Sequence, residues 1–181
     1  HGYHAGSFAD VLKHGVFAWL VALAARRPTP LYVLDTHAGA GVYDLASPHA
    51  QKTREYRDGI ERIVDAPDPL PLLFEEYLQV VRDMNPDGQL RWYPGSPEIA
   101  AQFLRSIDRL EAIELHGTDH AQLREHFRGI ARAHIWREDG LARLPRCLPP
   151  PERRGIVLID PSYEIKSDYE DVVAALRQAW H

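Results

Sequence analysis

Carboxylates and glycine turns stand at the ends of four candidate strands of the sequence, and these residue types can form a nucleotide site. The segment at the end of the first strand, residues 35–41, holds two glycines. Glu114 stands at the end of the second strand, Asp139 and Gly140 at the end of the third, and Asp160 at the end of the fourth. Because ligands of doubly wound sheets bind outside the carboxyl ends of the strands, we expect these residues to converge at one edge.

The glycine loop after the first candidate strand favours a ligand that has no pyrophosphate. Gly39 and Gly41 let the backbone turn sharply and approach a ligand closely. Asp44 stands where the dinucleotide fingerprint has its third glycine, three residues after Gly41. The alternative is an ordinary turn between a strand and a loop, since short glycine motifs are common.

Glu114 is the candidate for binding both hydroxyls of a ribose, as acids do in nucleotide-binding folds. Such an acid ordinarily follows the glycine loop by about 20 residues, whereas Glu114 lies 79 residues after Asp35. The excess predicts an inserted helical subdomain at residues 48–89. A solvated or salt-bridged acid is the alternative for Glu114. Asp139 could bind an adenine amine, although Asp followed by Gly also forms plain turns.

Residues 160–163, Asp-Pro-Ser-Tyr, indicate one particular reaction. The exocyclic amine of adenine is a poor nucleophile because its lone pair is delocalised into the ring. The Asp160 carboxylate and the Pro161 carbonyl can accept its two N–H groups, which localises the lone pair and aims it at an electrophile. Tyr163 offers a ring on which an extruded base can stack. An Asp-Pro turn at a strand end is the plain alternative.

Histidines are frequent, but their spacing does not favour a metal site. The chain has 10 histidines and no His-Glu-x-x-His motif. We expect no metal, and we interpret His14 and His37 as neutral hydrogen-bonding groups near a ligand or as core histidines. The single cysteine, Cys147, excludes an intramolecular disulfide and a cysteine zinc cluster, and it suits a reducing cytoplasm.

Composition and charge limit the class of protein. The 181 residues, 45% of them hydrophobic and 26% charged, suit one globular domain. A net charge of -5 argues against non-specific coating of nucleic acid, so RNA contacts would come from local basic groups such as Lys52, Arg54 and Arg57. The longest apolar stretch, residues 16–25, is shorter than the roughly 18 residues of a membrane span, and we expect no membrane partner.

Strand and helix patterns alternate along the chain, which predicts parallel strands joined by crossover helices. Ser7 and Ser96 are the expected N-caps of two helices. A proline-rich loop is expected at residues 145–154. The expected strands are residues 31–35, 110–115, 133–137 and 155–159, and the expected helices include residues 7–27, 119–132 and 167–180.

Taken together, these strings resemble the bacterial 23S ribosomal RNA adenine-N6 methyltransferases of the RlmJ type. Ala-Asp-Val-Leu-Lys-His, followed by Asp-Thr-His-Ala-Gly-Ala-Gly, is far more specific than a general methyltransferase motif. The strings that carry the resemblance are residues 4–6, 9–14, 34–41, 93–97, 114–116, 139–140 and 159–164.

The resemblance implies a class I S-adenosylmethionine-dependent methyltransferase sheet, Rossmann-like, with a small helical insertion. The core would comprise residues 1–47 and 90–181, truncated at both ends, because the family has a further N-terminal segment with a substrate-contacting tyrosine and a further C-terminal stretch. Asp160 would be catalytic. The implied contacts to S-adenosylmethionine are His14, His37, Ser96, Glu114, Asp139, Gly140 and Asp160.

The implied substrate is 23S ribosomal RNA, free of protein or in an early assembly intermediate, and the implied enzyme is a cytoplasmic monomer. Ser162 stands where the family motif has a second proline; since the acceptor carbonyl belongs to Pro161, we expect activity to survive. Two alternatives stay open. One is a methyltransferase acting on adenine in DNA or on a small-molecule amine, and the other is a non-catalytic RNA-binding module with the same fold.

Overall fold

The computed structural model describes residues 2–66, 70–163 and 167–180. Its contacts divide the chain into two units. The first, here called the helical unit, comprises His1–Arg26 and Ala40–Phe103. The second, the sheet unit, comprises Arg27–Gly39 and Leu104–His181. The predicted division into a core and an insertion at residues 48–89 follows other boundaries and stays a prediction.

In the part that the structure describes, the sheet unit contains four parallel strands and three helices. From one edge to the other, the strands are β5 (Ala133–Trp136), β4 (Arg109–Ile113), β1 (Tyr32–Asp35) and β6 (Gly155–Leu158). All four residues of β1 are buried, as is typical of a parallel strand covered on both faces. The three helices are α6 (Gly117–His126), α7 (Gly140–Cys147) and α8 (Ser167–Ala179). The four predicted strands are therefore confirmed, with ends shifted by one or two residues.

Helix α7 corrects the prediction of a proline-rich loop at residues 145–154. The helix continues through Pro145 to Cys147, although a proline inside a helix forfeits one backbone hydrogen bond. Burial of one apolar face compensates, because Leu144 and Cys147 pack with Tyr32 in a core cluster of the sheet unit. Truncating a buried leucine to alanine costs about 2–5 kcal/mol. The sequence pattern around Pro145 does not record this stabilisation by tertiary packing.

The helical unit is organised around one long helix. Helix α1 (Phe8–Ala25) has the predicted N-cap, since the Ser7 hydroxyl accepts from Asp10 N at 3.3 Å. It packs against α4 and α5. The remaining helices are α2 (Pro48–Thr53), α3 (Ile60–Val64), α4 (Glu75–Asp83) and α5 (Ser96–Phe103), with 3₁₀ turns at Glu55–Arg57 and Leu72–Phe74. Residues 67–69, within the predicted insertion at residues 48–89, lie outside the described residues.

Taken whole, α1 is more apolar than its stretch at residues 16–25 suggests. Its 18 residues have a mean hydropathy of 1.5, which by length and composition alone is enough to cross a membrane. Core helices of globular proteins meet the same criterion. Seven of its residues, including His14, are buried within the structure, so the fold uses α1 as a packing helix.

A short hairpin in the helical unit was not predicted. Strands β2 (Val42–Asp44) and β3 (Trp92–Pro94) pair antiparallel, with Tyr43 opposite Tyr93. The two strands have three residues each, and their pairing partners are distant in sequence. Helix α5 begins at Ser96, so Ser96 is its first residue and not the predicted N-cap before it.

Candidate functional site

The register of the parallel strands brings three predicted residues to one rim of the sheet unit. Asp35 at the end of β1 is level with Ala112 of β4 and Leu158 of β6. In each segment the chain then leaves the sheet at its carboxyl end. The residues two positions beyond these three are His37, Glu114 and Asp160.

Glu114 holds the glycine loop through its carboxylate. One oxygen accepts from Gly39 N at 2.8 Å and the other from His116 N at 2.7 Å. Gly39 has a φ of 62°, which is why a glycine stands at this turn. A carboxylate offers about four lone-pair sites, and these two bonds use half of them. Glu114 therefore retains acceptor capacity for hydroxyl donors such as those of a ribose.

His37 is oriented by its neighbour Thr36. The Thr36 hydroxyl donates to Leu158 O at 3.2 Å and lies 2.8 Å from His37 Nδ1. With the Thr36 proton directed to Leu158 O, the second bond takes its hydrogen from His37 Nδ1. This arrangement favours the Nδ1–H tautomer of His37, with the lone pair on Nε2.

The rim around His37 is acidic. Burial lowers the pKa of His37, although four carboxylates act in the opposite direction. The neutral imidazole is therefore the form expected at neutral pH. A cluster of acids around a neutral ring is complementary to a cationic ligand. The four carboxylates are Asp160, Glu114, Asp139 and Asp168.

Asp139 and Gly140 begin helix α7. Asp139 is the N-cap, and its Oδ1 accepts from Leu141 N at 2.9 Å and from Ala142 N at 3.0 Å. A Cβ added to Gly140 would lie 2.0 Å from Thr36 O, so only glycine allows α7 to approach the end of β1. The pair thus has a structural role, and the predicted contact with an adenine amine stays a prediction.

The segment from Asp160 to Tyr163 combines a buried proline with an exposed aromatic ring. Pro161 is buried, whereas Tyr163 is 37% exposed. Tyr163 has a φ of 54°, which is strained for a residue with a large side chain. Desolvation raises the pKa of Tyr163, and the charge of Asp160 raises it further, so carboxylate and phenol lie within electrostatic reach.

In the helical unit, His14 ends a buried chain of hydroxyl groups. Tyr77 OH donates to Tyr93 OH at 2.9 Å, and Tyr93 OH lies 2.8 Å from His14 Nδ1. When Tyr93 accepts the proton of Tyr77, its own proton is available to Nδ1. Burial raises the pKa of both phenols above the ordinary value, so both remain neutral. This direction of the chain favours the Nε2–H tautomer of His14.

The other two candidates of the helical unit lie at neighbouring turns. Gly95 N, directly before Ser96, donates to Gly41 O at 2.7 Å. Gly41 has a φ of 83°, and Ser96 is buried at the start of α5. A Cβ added to Gly95 would lie 2.9 Å from Gly41 O. The glycine turn and the start of α5 are thus held together by backbone contact.

The predicted residues fall into two sets. The sheet unit holds His37, Gly39, Glu114, Asp139, Gly140, Asp160, Pro161 and Tyr163, and the helical unit holds His14, Gly41 and Ser96. Sequence reasoning missed the hydrogen-bonding partners of the two histidines, Thr36, Tyr93 and Tyr77 behind it. It also missed Asp168, whose charge acts on His37, and Tyr169, whose ring contacts Tyr163. Among the described residues, no group of three or more His, Cys, Asp and Glu side chains could hold a metal ion.

Comparisons with known proteins agree with this architecture. The family described as "Ribosomal RNA large subunit methyltransferase D, RlmJ" matches residues 28–181. Ribosomal RNA large subunit methyltransferase J of Escherichia coli (strain K12) is 47% identical over 180 residues, and its namesake in Haemophilus influenzae is 42% identical over 181 residues. A solved structure from Legionella pneumophila has a TM-score of 0.90 and 40% identity, covering 98% of this chain and 65% of that chain.

These matches run along nearly the whole chain. They cover 99% of this chain but 64% of each of the two curated relatives. The strand order, the parallel register and the rim of carboxylates and glycine turns are those of a class I methyltransferase fold. The chain therefore belongs to the RlmJ family of ribosomal RNA large-subunit methyltransferases.

Proposed function

We propose that the protein transfers a methyl group from S-adenosylmethionine to the N6 amine of an adenine in 23S ribosomal RNA. The observation that carries the proposal is the register that brings His37, Glu114 and Asp160 to one rim of the sheet unit. The names of the relatives support the ribosomal RNA substrate. The Asp-Pro-Ser-Tyr segment supports an adenine amine as the acceptor.

The residues of the rim fit S-adenosylmethionine, which supplies an electrophilic methyl group on a sulfonium cation. The carboxylates around His37 suit a cation, and they distinguish this site from one built for a phosphate. Glu114 would accept the ribose hydroxyls with the lone pairs that Gly39 N and His116 N leave unused. Asp139 and Gly140 would bind the adenine ring, and His14, Gly41 and Ser96 remain predicted contacts from the helical unit.

Asp160 is the proposed catalytic residue. Its carboxylate and the Pro161 carbonyl would accept the two N–H groups of the amine and hold the lone pair in line for attack. Tyr163, exposed and adjacent, would stack on the extruded base. The carboxylate is also in place to accept the proton that the amine loses. These steps use acceptors and an aromatic surface, and none of them routes through a metal.

Contacts with the RNA backbone would come from the basic side chains of the helical unit. Lys52, Arg54 and Arg57 lie in or beside the short helical segments after residue 47. They can neutralise phosphates even though the net charge is -5. The proposed substrate is RNA that is free of protein or in an early assembly intermediate, and the proposed enzyme is a cytoplasmic monomer.

The test is methyl transfer by the protein in its full natural length. Labelled S-adenosylmethionine is incubated with unmodified 23S RNA, DNA and free nucleosides, and the methylated nucleoside is identified by mass spectrometry. We expect N6-methyladenosine in the RNA, and we expect Asp160→Ala to lower the rate by about 100-fold or more. Equal labelling of DNA would support the alternative substrate. Cofactor binding without any transfer would support a non-catalytic module.

A further inference from the structure

Two tyrosine rings form an exposed aromatic pair beside Asp160. The ring centroids of Tyr163 and Tyr169 are 4.6 Å apart, and their planes are inclined by 34°. Tyr169 lies in the first turn of α8 and is 62% exposed, while Tyr163 is 37% exposed. Exposed aromatic rings next to a candidate catalytic carboxylate provide a surface for a nucleobase, because every base has a face on which a ring can stack.

The spacing decides how the second ring can act. A base sandwiched between two rings needs about 7 Å between their centroids, twice the contact distance of about 3.5 Å between carbon atoms. The observed 4.6 Å leaves no room for a base between Tyr163 and Tyr169. Tyr169 therefore contacts Tyr163 itself, and a base that stacks on Tyr163 must use the other face of that ring.

The backbone conformation of Tyr163 indicates why the contact between the two rings matters. A φ of 54° is an unfavourable conformation for a tyrosine, and such residues persist only where their surroundings hold them. Ser162, the residue before it, is exposed. The ring of Tyr169, carried by helix α8, contacts the ring of Tyr163 and can hold its orientation.

We propose that Tyr169 is a positioning residue that holds Tyr163 as the stacking platform for the extruded adenine. The inference rests on the proposed function, in which Tyr163 stacks on the base. Tyr169 itself acts through Tyr163 and not through the methyl donor. The aromatic ring is what matters, so phenylalanine can replace tyrosine, whereas a small side chain cannot.

Steady-state methylation of unmodified 23S RNA by the full-length protein tests the inference with three variants. We expect Tyr169→Ala to raise KM for RNA about 10-fold, within the range of one lost stacking contact. Tyr169→Phe should stay within about twofold of the wild type, because it keeps the ring. Val173→Ala is the matched control, since Val173 is exposed one helical turn further along α8. Affinity for S-adenosylmethionine, measured by calorimetry, should not change.

A double-mutant cycle distinguishes positioning from a general structural effect. If Tyr169 acts through Tyr163, then Tyr169→Ala has no further effect on KM in a Tyr163→Ala background. Additive effects would overturn the inference, as would a wild-type KM for Tyr169→Ala or an equal loss for Tyr169→Phe. Failure of the proposed function has a different signature, because the wild-type protein itself would then transfer no methyl group to RNA.

Discussion

The hydrogen bonds of the two histidines predicted to bind the cofactor favour opposite tautomers. In the helical unit, Tyr93 OH can donate to His14 Nδ1, which puts the hydrogen of the ring on Nε2. In the sheet unit, His37 Nδ1 can donate to the Thr36 hydroxyl, which leaves the lone pair on Nε2. In this arrangement Nε2 is a donor in His14 and an acceptor in His37.

The surroundings of the two histidines differ in the number of acids. Tyr77 and Tyr93 beside His14 are fully buried neutral phenols and one carboxylate, Asp10, interacts with it, whereas four carboxylates act on His37. A fixed donor suits an anionic group of a ligand, and a neutral acceptor among acids suits a cationic one. The comparison shows that residue type alone does not determine whether a site histidine donates or accepts a hydrogen bond. The hydroxyl group that bonds to its Nδ1 determines this.

The largest effect is expected from Gly140→Ala, which would break the rim to which His37 belongs. The new Cβ would lie 2.0 Å from Thr36 O, and backbone cannot yield as a flexible side chain can. We expect a loss of about 4 kcal/mol or more in the free energy of unfolding, measured by urea denaturation. Gly2→Ala is the control, because its Cβ would meet nothing closer than 3.7 Å, and it should change stability by less than about 0.5 kcal/mol. A Gly140→Ala protein of wild-type stability would contradict this account of the rim.

Much of the sheet unit could be predicted because its information is local. Each strand is a short segment rich in apolar residues and followed by a polar residue, and this pattern located β1, β4, β5 and β6. The rule that ligands bind at the carboxyl ends of parallel strands then selected Glu114 and Asp160. Since all four strands run in one direction, the residues at their carboxyl ends lie at one edge of the sheet.

The remaining features could not be predicted because they depend on contacts that are distant in sequence. Tyr93 is 79 residues from His14, and the Thr36 hydroxyl reaches Leu158 across 122 residues. The hairpin strands have three residues each, too few for a period-two pattern, and one of them contains Pro94. In α7 the burial of Leu144 outweighs the helix-breaking tendency of Pro145, which no local propensity records.

Smaller effects are expected from removing the hydroxyl that orients each histidine. Tyr93→Phe would remove the partner of both His14 and Tyr77 in a buried chain, at a cost of about 1–3 kcal/mol in the free energy of unfolding. Thr36→Val should cost about 1 kcal/mol, because Thr36 is buried but the partly buried His37 can bond to water in place of the lost hydroxyl.

The tautomers themselves can be measured by the ¹⁵N chemical shifts of the imidazole nitrogens. In the wild type we expect the hydrogen of His14 on Nε2 and that of His37 on Nδ1. Tyr93→Phe should alter the His14 signals and leave those of His37 unchanged, and Thr36→Val should do the reverse. Identical tautomers in the wild-type protein would refute the comparison between the two units.

The smallest expected effect is a pH dependence of stability that comes from His37 alone. Burial holds the folded pKa of His37 below its unfolded value of about 6.5. Between these two pKa values the unfolded chain binds more protons than the folded one, so stability rises with pH in that window and is constant above it. His37→Asn keeps a side-chain amide near Thr36 but cannot titrate. Urea midpoints measured from pH 5 to pH 8 should therefore fall less steeply towards acid pH in His37→Asn than in the wild type. Parallel profiles of the two proteins would show that the carboxylates around His37 cancel the effect of its burial.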